Sequence, residues 1–472
     1  MNKLNTAAAM VFAAGLAAAV NAEPLEPIAA PEGVCCQAVH QDMLRMIEAQ
    51  TFYALPEEDR QRILKRCELE GITLSFMQTS EPEADTHPGI IERNEQLSED
   101  ELKETYEAVK AYVSEDDFKN FKPIHQRMLK GLVHIVETDA HGGTPVMPCF
   151  APGTDPALIA AFEAVVFAGV DINGDRFQQT GRWGATALNP GGNSTQGEPT
   201  ILTYSFPADG TTIPDGVGEG TGVNGLNAFM DGIYGNRATW RAIYDQVFAR
   251  WAELSGNTYI LEPNDDNVTL FNNPGVAGVR GDLRMGGKPI DGNSGILAYN
   301  FFPQNGDMVV DSPDTFYNNT GSQSLRLRNV LAHEHGHGMG QLHVCPVEQN
   351  KLMEPFISVA YDGPRFDDIL NAQRHYGDPL EPNDSTGAAT DLGSYSIGQS
   401  VQLGDTGPNN SNLTDILSID DNTDADVFLL TLNMSGSVTA TVTPRGFTYI
   451  EGTQTSACNT GNNYDALNQK NL

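Results

Sequence analysis

Apolar positions along the chain follow two regimes. In the first part they recur at helical spacing: Leu102, Tyr106, Val109 and Val113 follow a capping box, Ser98-Glu99-Asp100-Glu101, and residues 156–170 form an apolar stretch that predicts a buried helix. Residues 228–254 carry Phe229, Ile233, Trp240, Tyr244, Val247 and Trp251 on one stripe and predict a long helix. Alternation takes over at 200–206, predicted as an edge strand, and strand-like pieces recur at 258–261, 281–285 and 295–302. Residues 366–376 are helical again, with Gly377 as the stop. Beyond a turn-rich linker, Asp378-Pro379-Leu380-Glu381-Pro382-Asn383-Asp384, short alternating segments at 427–432 and 437–443 predict a small β-domain.

Composition adds where such a chain can work. Asp and Glu number 62 against 28 Lys and Arg in 472 residues, a net charge of −34 spread evenly along the chain. Such a surface repels phosphate backbones and anionic lipid, so nucleic-acid and membrane-surface binding are poor expectations. Behind Lys3, an apolar Ala-rich run ends at Val20-Asn21-Ala22, with small residues where a signal peptidase reads. Residues 1–22 are therefore expected to direct export, and the mature chain to be a secreted, extracellular monomer without membrane insertion, since no stretch approaches the roughly 20 apolar residues of a spanning helix.

Six cysteines in an exported chain point to disulfides: Cys35, Cys36, Cys67, Cys149, Cys345 and Cys458, with the pairing left open. Asp171, Asn173, Gly174 and Asp175 imitate the start of a calcium loop, but Arg182 stands where the twelfth-position Glu is needed. An Asn-Gly turn is the plainer reading.

The segment that carries chemistry is His333-Glu334-His335-Gly336-His337-Gly338-Met339-Gly340-Gln341-Leu342-His343. Residues four apart share a helix face, so His333 and His337 can present imidazoles to one metal with Glu334 beside them. Gly340 can end the helix in a left-handed turn and bring His343 round as third ligand. Three neutral imidazoles suit zinc and leave a fourth position for water, as in catalytic rather than structural sites. Glu334 is then the general base, taking the water's proton and passing it to the leaving amine. His335 falls on another face.

This eleven-residue run resembles the zinc-binding pattern of the metzincin metallopeptidases, and its surroundings resemble the matrixin branch. Leu352-Met353-Glu354-Pro355 is similar to the family's Met-turn, which implies Met353 as a hydrophobic floor beneath the metal. The segment from Phe366 to Gly377 is similar to the matrixin C-terminal helix, and Gly281-Asp282-Leu283-Arg284 and 295–303 to strands above its cleft. The resemblance implies that Ile296, Leu297 and Ala298 lie on an unpaired edge strand that binds extended polypeptide through its main chain. It also implies calcium held by Asp291, Asp311 and Asp314. Tyr299, Asn300 and Met308 stand where animal matrixins carry histidines for a second, structural zinc, so one zinc per chain is expected. No Pro-Arg-Cys-Gly latency motif is present; Pro148-Cys149-Phe150 is the nearest candidate. Glu381-Pro382-Asn383-Asp384-Ser385 and Asp424-Ala425-Asp426-Val427-Phe428 resemble the bacterial pre-peptidase C-terminal domain, a β-sandwich.

The expected fold is α+β: a metzincin-like catalytic domain at 198–377, with a twisted mixed sheet and three helices, behind a helical N-terminal region at 23–197 that can serve as a pro-segment. A β-sandwich at 378–472 follows. The expected function is a secreted zinc endopeptidase acting on extended polypeptides. Its rivals are a surface binding protein with an inert zinc centre and a zinc hydrolase of non-peptide amides.

Overall fold

The structure, a computed structural model, describes residues 87–168, 179–193, 195–271, 273–344, 350–404, 416–420, 424–442, 448–451 and 462–465. The expectations for residues 1–22, for every cysteine except Cys149 and for Asp171, Asn173, Gly174 and Asp175 lie outside the described residues. Apart from the first turn of the histidine helix, every element below belongs to the unit formed by residues 79–320 and 324–472.

Four helices come first: α1 (Pro88–Arg93), α2 (Glu99–Val109), α3 (Glu115–Asn120) and α4 (Pro123–Thr138). The predicted capping box starts α2, with Ser98 N donating to Glu101 Oε2 at 2.8 Å and Glu101 N to Ser98 Oγ at 3.3 Å. Strand β1 (Val146–Phe150) and helix α5 (Pro156–Val166) follow. The Asp155 side chain caps α5, accepting from Ala157 N at 2.9 Å.

The main sheet takes β1, β2 (Ile201–Ser205), β5 (Thr258–Leu261), β6 (Leu283–Lys288), β7 (Ile296–Phe301) and β8 (Met308–Asp311), while β3 (Thr212–Ile213) and β4 (Gly222–Val223) make a separate ribbon. Its order is β1-β7-β8-β6-β2-β5; β8, β6, β2 and β5 run parallel, and β7 lies antiparallel between β8 and β1. Strand β2 is therefore interior, not the expected edge. Its alternating polar residues are satisfied within the protein: Thr203 Oγ1 donates to Asp282 at 2.8 Å and Ser205 Oγ to Asp265 at 2.7 Å.

The single helix expected over 228–254 is two, α6 (Leu226–Tyr234) and α7 (Arg237–Leu254). Gly235 ends the first in the left-handed region at φ 80°, and the Asn236 side chain caps the second through Thr239 N at 3.0 Å. Helices α8 (Gly321–Gly338) and α9 (Phe366–Tyr376) follow, and Gly377 stops α9 as expected. Towards the C-terminus, β9 (Thr390–Tyr395) pairs parallel with β10 (Phe428–Leu432), and β11 (Thr448–Glu451) antiparallel with β12 (Asn462–Asp465). Among the described residues these remain two separate pairs, and 437–442 form no strand.

One hydrophobic core joins the N-terminal helices to the sheet. Phe118, Met128, Leu132 and Phe162 pack in the same cluster as Ile213, Ile296, Phe301 and Leu342, all at most 2% exposed. Burying each such side chain stabilises by about 1.5–3 kcal/mol. The contact of α4 with loop 214–220 needs glycine: Gly218 has φ +93°, and a Cβ there would stand 1.9 Å from Met128 O.

Candidate metal centre

Helix α8 buries every residue from Asn329 to Gly338, which places His333 and His337 one turn apart on an inward face. Gly340, at φ 99°, turns the chain back, and Gln341 N donates to Gly336 O at 2.9 Å across that turn. His343 returns to the other two. The three Nε2 atoms lie 3.1, 3.1 and 3.2 Å apart.

Each Nδ1 faces an acceptor: Leu352 O at 2.8 Å from His333, Gln341 O at 2.7 Å from His337, and Glu163 Oε1 at 2.9 Å from His343. A proton on each Nδ1 leaves three Nε2 lone pairs pointing at one another, an arrangement that calls for a cation between them. Burial holds the imidazoles neutral, pushing His333 to about 4 and His337 and His343 well below the ordinary value. The donor set is the neutral-imidazole triad that zinc takes.

Glu334 is fully buried, and burial pushes its carboxyl up to about 8. Cys149, through its thiol and main chain, is the neighbour that acts on it, and among the described residues neither carboxylate oxygen makes a hydrogen bond of full geometry. A carboxylate so weakly held beside a metal site is placed to exchange a proton with a group bound there. His335 points elsewhere, its Nε2 2.7 Å from Tyr259 OH and its ring edge-on to Phe248. Met353 packs under α8, close enough that a Cβ on Gly336 would stand 2.3 Å from its sulfur. Asp368 holds that turn, accepting from Leu352 N at 2.7 Å and Met353 N at 3.0 Å.

Two expectations change. Ile296, Leu297 and Ala298 do lie on the strand beside the centre, but that strand is not an unpaired edge. β1 covers it antiparallel, with Val146 opposite Phe301 and Cys149 opposite Ala298. On its other side β1 meets the loop after Met353: Phe150 N donates to Pro355 O at 3.2 Å and Ile357 N to Phe150 O at 3.0 Å. Cys149 is a buried free thiol, held protonated by burial and by the neighbouring Glu334, where the sequence suggested a disulfide.

Calcium at Asp291, Asp311 and Asp314 stays an expectation: the three carboxylates lie near enough that Asp291 and Asp314 push Asp311 up, and each also has partners within the protein. Asp291 Oδ2 sits 2.6 Å from His125 Nε2 on α4, Asp311 accepts from the amides of Ile290, Asp291 and Gly292, and Asp314 from those of Ser294 and Phe316. They tie the loop down. Tyr299 and Asn300 are engaged as well, the first donating to Glu219 at 2.8 Å and the second to Phe301 O at 2.6 Å.

Sequence reasoning missed β1 and Glu163. The second left a signal: Glu163 is the single charged residue of α5, Pro-Ala-Leu-Ile-Ala-Ala-Phe-Glu-Ala-Val-Val.

Comparison with known proteins agrees with this site. Residues 237–377 match the family model described as Matrixin, Peptidase_M10. The chain is 33% identical over 138 residues to the hatching enzyme of Paracentrotus lividus, covering 28% of this chain and 22% of that protein. It is 28% identical over 147 residues to Metalloendoproteinase 4-MMP of Arabidopsis thaliana, covering 29% and 40%, and 37% identical over 105 residues to stromelysin-3 of Rattus norvegicus, covering 21% and 20%. The chain thus spans less than half the length of these relatives. Within that span, the fold, the triad and the match define a zinc metalloendopeptidase domain of the metzincin type. No helix among the described residues is long and apolar enough to cross a membrane.

Proposed function

We propose that the chain is a secreted zinc endopeptidase that hydrolyses extended polypeptides, with the region before residue 198 acting as its pro-segment. The observation that carries the reading is the convergence of three Nε2 atoms within 3.2 Å, with a fully buried carboxylate on the residue next to His333. His333, His337 and His343 would hold the metal, and Glu334 acts beside it. Zinc, when bound, supplies Lewis acidity that lowers the pKa of a water and polarises a carbonyl. The residues do the rest. Glu334 takes the attacking water's proton and returns it to the departing amine nitrogen, which breaks the C–N bond without leaving a charged amide anion. Main-chain groups of β7 align an extended substrate as an added strand.

Latency is part of the proposal. A substrate strand and β1 need the same face of β7, so the peptidase works only after Val146–Phe150 leaves it. Casein zymography tests the reading. Wild type, once its N-terminal region is clipped, clears the gel and Glu334→Ala does not; equal clearing by both, or none from either after clipping, overturns it. Cleavage confined to small amides favours the rival hydrolase.

A further inference from the structure

We propose that Glu163 is a positioning residue of the zinc centre, one that couples metal binding to the docking of helix α5; this rests on the zinc peptidase reading above. Glu163 lies on an element outside the matched span 237–377, yet reaches His343 across 180 residues of sequence. The other two histidines are anchored by main-chain carbonyls of the catalytic part, Leu352 O and Gln341 O. His343 alone is anchored by a side chain, and that side chain is an acid.

The surroundings of Glu163 give this its force. The residue is 7% exposed in an otherwise apolar helix, between Phe162, fully buried, and Val165, also fully buried. Among the described residues, His343 is its carboxylate's one hydrogen-bond or ion-pair partner. An acid buried among apolar side chains against a neutral imidazole has no positive charge facing it. A divalent cation on the far nitrogen of the same imidazole supplies the missing charge. The carboxylate in turn fixes the Nδ1–H tautomer and makes Nε2 a stronger donor, the usual role of an acid behind a metal-bound histidine.

The consequence is reciprocal. If docked α5 strengthens zinc binding by some factor, bound zinc strengthens the docking of α5 by the same factor. Five residues separate β1 from α5, so the strand lying on β7 and the acid behind His343 belong to one short stretch, 146–166. The uncut chain therefore holds zinc more tightly than the chain from which that stretch has gone.

The experiment compares the full chain as wild type and Glu163→Gln, which keeps shape and removes charge. Zinc affinity is measured by competition with a chromogenic chelator, melting temperature with and without zinc, and amide exchange of 146–166 with and without zinc. The expected result is a zinc affinity about 10–100-fold weaker in Glu163→Gln. The metal-free variant melts close to metal-free wild type, because Gln keeps the shape of the acid in the same buried place. Zinc slows exchange in 146–166 more in wild type than in the variant. A folded Glu163→Gln with wild-type zinc affinity and the same zinc-dependent protection overturns the proposal. So does a variant equally destabilised with and without zinc, the mark of a merely structural role. Wild type that binds zinc while full-length Glu163→Gln binds it as tightly sinks this inference alone; wild type that binds no zinc sinks the peptidase reading with it.

Discussion

Glu219 shows how single buried charges support the site from a distance. Its carboxylate is 2.7 Å from Lys288 Nζ, accepts from Tyr299 OH on β7 and from the amides of Gly216 and Val217, and is fully buried. Burial would raise its pKa, but the Lys288 charge and these donors outweigh it and hold it at about 2. A carboxyl depressed in the folded state stabilises above its ordinary pKa and loses that contribution as pH falls through the folded value. Stability should therefore drop on acidification from about pH 4.5 towards 2, by on the order of 2–3 kcal/mol from this group. Asp215 beside it, raised to about 7 by burial and by Glu219, has the opposite sign and costs stability as pH rises towards 7. Urea unfolding across pH 2–8 checks both: Glu219→Gln should flatten the acid limb, and an unchanged limb contradicts the assignment. The triad and Glu334 were readable because their spacing is local. Glu163 was readable only as an odd charge in an apolar helix, since its partner lies 180 residues away and no periodicity encodes that contact.

At the scale of elements, the strand over β7 has the clearest consequence. Phe150, fully buried, packs against Phe162 with ring centroids 6.1 Å apart and is hydrogen-bonded through both its N and O to the 355–357 loop. Phe150→Ala should loosen β1 by about 3–5 kcal/mol, the range for a buried aromatic truncated to a cavity. The unprocessed variant should then cleave an extended fluorogenic peptide faster than unprocessed wild type. Equal initial rates would mean that β1 does not limit access. Strands β5 to β7, the capping box and α9 were legible because periodicity and end signals are properties of one segment. β1 was not: Val-Met-Pro-Cys-Phe has no alternation and a central Pro, and pairs with a strand some 150 residues on. The break between α6 and α7 was written in Gly235-Asn236, a stop followed by a cap, but the apolar stripe on both sides masked it.

For the whole molecule, the acidic surface and the buried carboxylates have separate meanings. The net charge of −34 sets solubility and disfavours polyanionic partners, whereas Glu163, Glu219 and Glu334 are buried and each faces a particular group. Metal is the shared counter-charge at the centre. Stripping zinc with a chelator should lower the melting temperature of wild type, since a ligand at 1,000 times its dissociation constant stabilises by about 4 kcal/mol. His343→Ala should respond far less, and equal responses would place the stabilising metal elsewhere. The central claim, that Glu334 beside a three-histidine zinc site hydrolyses peptide bonds, is tested most directly by kcat/KM on an extended peptide. Clipped, zinc-loaded wild type and Glu334→Gln would be compared at matched zinc content. The account predicts a loss of about 10²–10⁴-fold in the variant with zinc still bound; equal kcat/KM at equal zinc content would contradict it.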